Sequence, residues 1–227
     1  MWNHAIASAR QADMPERAAI IEAAEAVSEA HFGNTAAARQ HVRASLELAK
    51  GRDVEYAAAI ALALSGDSAG AERLTKDLAK RFPEDTPVQF EYLPTLHALL
   101  SLHNKAPSDA ISRLETARAY DLAMPGTAFF AKFGGLYPAY VRGQAYLQAG
   151  RPNEAAAEFQ KVLDHRGIVL GDPIGALVYL QLSRTVGTSG DKAKAKSAYE
   201  DFFALWKEAD PDIPILKQAK AEYARLQ

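Results

Sequence analysis

The chain has 227 residues, with 26 basic and 28 acidic side chains, a formal charge of -2 and no cysteine. Interspersed charges leave no basic stripe for nucleic acid, and the missing thiols exclude disulfides and thiolate chemistry while leaving the redox compartment open. Hydrophobic residues at 48% and charged residues at 24% suit a chain that buries a core rather than one that stays disordered.

Apolar residues fall at i, i+3, i+4 and i+7 almost throughout, so the fold class is all-α and residues 1–227 form a single domain. Residues 3–12 are expected to cap the amino-terminal end. A first helix pair over 17–50 carries Ala26 and Ala38 around a turn at Gly33, and Glu22, Glu25 and Glu29 are expected on the solvated face of a terminal unit. The second pair, 52–85, has Ala59 and Ala71 around Gly66. Thr86-Pro87-Val88-Gln89 then has the form of a capping box.

The third pair, 87–124, has Ala98 and Ala110 with Lys105 at the turn. The fourth, 136–168, has Gly143 and Ala155 around Gly150, with aromatics at Tyr146 and Phe159. Asp172-Pro173 repeats the cap-plus-proline signal before the fifth pair, 173–209, with Ser183 and Ala195 around Gly190. A last helix over 213–227 reads as a capping helix, with Ile215, Leu216, Ala219, Tyr223 and Leu226 on one face.

In all five units the small residues stand twelve apart, a spacing that lets two antiparallel helices approach closely. Tyr140-Val141-Arg142-Gly143-Gln144-Ala145-Tyr146-Leu147-Gln148-Ala149-Gly150, with Ala155 and Phe159, resembles a tetratricopeptide repeat. The resemblance implies an α-solenoid, a right-handed superhelix of antiparallel helix pairs that binds a protein or peptide along a concave groove. The family's groove positions fall on Tyr56, Tyr92, Thr95, Leu99, Tyr137, Tyr140, Gln144 and Arg184, with His31, His103 and Gln148 at the margin. Tyrosine suits a contact surface, although the same tyrosines also suit packing between neighbouring helices. The lysine and asparagine clamp for a peptide carboxylate is missing, and Arg184 alone is placed to pair with one.

The widest gap, 120–137, clusters Phe129, Phe130 and Phe133 beside Gly134-Gly135. It reads as a partner-docking wedge or, in the favoured alternative, as a plug of the core. No nucleotide-binding loop, kinase loop, zinc spacing or nucleophile elbow occurs, so no catalytic residue, metal site or cofactor is expected. Asp164-His165-Arg166-Gly167 reads as a helix-end loop, and His97 and His103, six apart, fall off a common helix face.

Leu136-Tyr137-Pro138-Ala139-Tyr140-Val141-Arg142-Gly143, Asp164-His165-Arg166-Gly167, Asp172-Pro173-Ile174-Gly175-Ala176-Leu177 and Asp210-Pro211-Asp212-Ile213-Pro214 together resemble the carboxy-terminal repeat region of bacterial receptor-like serine/threonine protein kinases. That resemblance implies a non-catalytic sensing or recruitment module, on the extracytoplasmic side of a membrane-anchored kinase. Similar repeats also follow winged-helix domains in transcriptional regulators, which would place the chain in the cytoplasm. A small-ligand-binding or hydrolytic helical protein is the third reading. No apolar run reaches the roughly 18 residues that span a bilayer, so no membrane insertion is expected, and the expected state is a monomer.

Overall fold

A computed structural model describes residues 2–124, 126–127, 131, 133–188 and 190–226, the Asn3 side chain aside. The described residues contain no strand. The helices are α1 (Trp2–Gln11), α2 (Pro15–Phe32), α3 (Thr35–Leu48), α4 (Arg52–Leu64), α5 (Ser68–Arg81), α6 (Leu93–His103), α7 (Pro107–Leu114), α8 (Tyr137–Gln148), α9 (Pro152–Asp164), α10 (Ile174–Thr188), α11 (Lys192–Leu205) and α12 (Pro214–Ala224). Each packs on its chain neighbour, and α2, α4, α6, α8 and α10 also pack on one another in succession.

The pairing follows from the small residues. Ala26, Ala38, Ala59, Ala71, Ala98, Ala110, Ala155, Ser183 and Ala195 have no exposed surface, and Gly143 is buried with them. At Gly143 an added Cβ would lie 2.5 Å from Phe159 Cε1, so the aromatic ring fills the space that the absent side chain leaves. Each pair is joined through a residue in the left-handed region: Gly33, Gly66, Lys105, Gly150 and Gly190, with φ of 89°, 78°, 57°, 70° and 84°. Lys105 adopts the same turn as the four glycines and carries the steric cost of its Cβ there.

The glutamates of α2 are not on a solvated face. Glu22 is buried and accepts from Arg10 of α1 at 3.0 Å and from His41 of α3 at 2.7 Å. Glu25 is also mostly enclosed, and Glu29 accepts from Asn34 at 2.7 Å. α1 lies over this stripe and brings its own cation, so a charged row that suggests exposure is covered. The expected cap at Thr86 also shifts by one residue. Asp85 accepts from Val88 N at 3.0 Å, while Gln89 reaches back to Phe82 O. The next turn, Val88–Tyr92, is π-helical. Pro94 has no N–H for the ladder, and the register widens immediately before it.

A buried ionic cluster fixes the connection between the third and fourth pairs. Arg142 is 0% exposed and donates to Asp121 at 2.5 Å, Glu158 at 2.8 Å and Leu114 O at 3.2 Å. Lys161 and Arg118 join from the rim, Lys161 to Asp121 and Arg118 to Glu158. The guanidinium therefore ties the segment after α7 to α8 and α9.

The far ends of the chain meet. α12 packs on α2, Phe32 stands perpendicular to Trp206 at 5.5 Å, and a Cβ on Gly33 would lie 2.9 Å from Pro214 Cβ. Gly143→Ala is expected to lower stability by about 1–3 kcal/mol through the clash with Phe159. Gly187→Ala in α10, where the new Cβ would rest 4.0 Å from Ala195 Cβ, is expected to raise it by about 0.5–1 kcal/mol. Thermal melts of both variants check the contrast, and equal shifts would show that close approach at Gly143 is unimportant.

Candidate interaction site

The four tyrosines expected to line a groove are interior residues. Tyr56, Tyr92, Tyr137 and Tyr140 are only 1–2% exposed, and Thr95 is equally covered. They offer no surface to a peptide. Tyr56 stacks on Tyr92 with ring centroids 3.8 Å apart and planes 3° from parallel. Phe133 packs on Tyr56 at 5.7 Å and on Tyr137 at 5.2 Å, so this part of the connecting segment plugs the inner face. Phe129 and Phe130 lie outside the described residues.

Several polar groups in this interior are linked by hydrogen bonds. The Tyr92 hydroxyl donates to Asp53 at 2.7 Å, and Tyr137 donates to Asp172 at 3.2 Å. His31 Nε2 lies 3.3 Å from the Tyr137 hydroxyl, and its ring centroid is 5.9 Å from the rings of both Tyr137 and Tyr140. Gln181 donates to Tyr140 at 3.3 Å. Asp172 also accepts from Gly134 N and Ile174 N, so the cap expected before α10 additionally anchors the plug. His31 of α2 reaches Tyr137 and Tyr140 of α8 across the interior, so among the described residues these inner helices share one core.

Arg184 does pair with a carboxylate, but an internal one. It reaches both oxygens of Glu222 in α12, at 2.9 and 3.0 Å, and Tyr199 adds a bond at 2.8 Å. The carboxylate that Arg184 would offer to capture is supplied by the chain itself.

Of the expected contact residues, Gln144, Leu99, His103 and Gln148 come together at an open place. With Leu64 and Leu102 they line a hollow of about 300 Å³ at the ends of α4, α6 and α8. Leu64 and Leu99 form an apolar floor. His103 and Gln148 are exposed on the rim, and the Gln144 amide has no protein hydrogen-bond partner among the described residues. A second hollow of about 320 Å³, near Ile20, Gly51, Val54 and Thr127, lies beside the start of α4.

Sequence reasoning missed Arg142, Glu91 and Asp172 as interior ionisable groups. Burial raises the Glu91 pKa to about 8, with Asp121 and Asp53 adding to the effect. Burial also raises Asp172 to about 7 against the pull of its three donors, and it lowers His31 to about 4. Among the described residues no three His, Asp or Glu side chains gather as metal ligands, and no helix is long and apolar enough to cross a membrane.

Comparison with known proteins returns no relative: no family model, no curated protein and no solved structure matches the chain.

The interior acids set a pH dependence. Between its ordinary value of 4.5 and about 8, folded Glu91 holds a proton that the unfolded chain has lost, so stability falls as pH rises through this window. Asp172 acts the same way up to about 7. His31 acts oppositely, its contribution being lost as pH falls from 6.5 towards 4, so the acids act unopposed only above 6.5. Glu91→Gln is expected to flatten the fall in melting temperature between about pH 6.5 and 8.5 and to raise the midpoint at the upper end. Parallel curves for the two proteins would remove Glu91 from this account.

Proposed function

We propose that the chain is a tetratricopeptide-type helical repeat array that serves as a non-catalytic docking module for a partner protein. The repeat reading is supported by the buried small pairs and by five left-handed turns at equivalent places. The docking reading rests on one observation: the hollow at Leu64, Leu99, Gln144 and Gln148 has an apolar floor and an unused amide, while the tyrosines expected to line a groove are buried. Such a combination suits an apolar anchor side chain flanked by backbone hydrogen bonds. Resemblance to receptor-like kinase repeats makes recruitment or sensing for a serine/threonine kinase the leading biological setting, with a winged-helix regulator as the alternative parent. The tyrosine-carboxylate interior is filled by Phe133 and neighbouring rings, which disfavours hydrolysis or small-ligand storage there.

Cross-linking capture from the source cell, quantified by mass spectrometry, tests this assignment. Gln144→Glu with Gln148→Glu is expected to reduce recovery of a specific partner at least about tenfold while moving the melting temperature by no more than about 2 °C. Tyr92→Ala is expected to act differently, costing about 3–5 kcal/mol of stability because it empties a packed aromatic position. Unchanged partner recovery by the glutamate pair would rule out the mouth as the docking site.

A further inference from the structure

The outer face carries a separate groove that the inner-face reading does not use. Arg43, Leu46 and Glu47 on α3, with Lys50 just past its end, line a hollow of about 710 Å³ together with Arg73, Leu74, Lys76, Asp77 and Lys80 on α5. On α3 the residues stand at i, i+3 and i+4, and on α5 Arg73, Lys76, Asp77 and Lys80 continue the pattern to i+7. The α5 wall is therefore a stripe of about two helical turns, roughly 10 Å long, while the α3 wall covers about one turn and ends at Lys50.

The charges in this groove do not cancel. Arg81 pairs with both Glu55 at the base and Asp77 at 3.0 Å and offsets one of those two negative charges, while Lys76 is taken by Glu72 at 2.7 Å. Arg43, Lys50, Arg73 and Lys80 are exposed and have no side-chain ion pair or hydrogen bond among the described residues, so four cations face Glu47 and the one carboxylate charge that Arg81 leaves over. Their cationic rim overlies an apolar floor, Leu46 and Leu74. On a chain whose formal charge is -2, a local excess of this kind is a specific feature rather than an average one.

We infer that the α3/α5 groove docks an acidic amphipathic helix of a partner protein, with its apolar stripe on Leu46 and Leu74 and its carboxylates against Arg43, Lys50, Arg73 and Lys80. A helix fits because the groove is walled by two helices and floored by apolar side chains, the arrangement in which an amphipathic helix buries one face. The apolar floor favours such a partner over a nucleic acid, whose backbone offers charge without an apolar stripe. The walls of this groove, α3 and α5, do not line the mouth at Gln144, so either site can fail alone.

Fluorescence anisotropy with a synthetic glutamate-rich helix bearing leucines at i, i+3, i+4 and i+7 tests the inference on the full chain. Wild type is expected to bind it with salt-sensitive affinity, and Arg73→Glu with Lys80→Glu to weaken binding about tenfold. Arg43→Glu with Lys50→Glu, on the opposite wall, is expected to do the same. All four positions are exposed, and circular dichroism checks that both variants keep their helices. Replacing the leucines of the peptide by serine is also expected to abolish binding. Absent binding, equal binding by the variants, or equal binding of the serine peptide would overturn the inference. Tighter, variant-sensitive binding of polyuridine would overturn it too, by assigning the groove to nucleic acid.

Discussion

Close approach of two helices at a pair of small side chains is the constraint from which the rest of the molecule follows. Where Gly143 meets Phe159 there is no room for a methyl group, so the two axes are held at the separation that the ring allows. Repeating that contact with Ala26/Ala38, Ala59/Ala71, Ala98/Ala110 and Ser183/Ala195 gives five hairpins, and each needs a reversal short enough not to pull the helices apart. The left-handed residue at every turn supplies it. Even Lys105 takes this conformation, which shows that the helix contact outweighs the steric preference of the turn residue.

Stacked hairpins leave an inner face to be covered, and this chain covers it with its own residues. Phe133 fills the space against Tyr56 and Tyr137. α12 returns to α2 through Gly33 and Pro214 and gives Glu222 to Arg184. The Tyr92 and Tyr137 hydroxyls, which in water would need no protein partner, are consequently enclosed and find acceptors in Asp53 and Asp172. The raised pKa values of Glu91 and Asp172 are the electrostatic cost of that closure.

Helices, their pairing and the turn positions were legible in the sequence because each depends on contacts within about forty residues: a periodic apolar face, two small residues, one glycine. What was hidden depends on partners distant in the chain. Glu22 looks like a surface acid until Arg10 and His41 close over it. Tyr56 and Tyr92 occupy positions that in an open array face a ligand, and nothing local announces that Phe133 arrives to bury them. Arg142 sits one residue before Gly143, where an apolar side chain would be unremarkable, and its acids come from Asp121 and Glu158. Gln144 and Arg184 show the same limit in opposite directions, one left open at the mouth and the other taken by Glu222.

Self-closure also decides which surfaces remain for recognition. An inner face packed against itself leaves only openings at its edges, such as the hollow at Leu64, Leu99 and Gln144. The outer helices are under no such demand, and their charges are free to be arranged. On α5, Arg81 holds Glu55 and Asp77 and offsets part of their charge, so fewer acids are left to the neighbouring cations. One guanidinium at the end of a helix thus adds to an excess that Arg43, Lys50, Arg73 and Lys80 already supply. An outer groove built in this way does not require the interior to open, so recognition there is energetically separate from the stability of the fold.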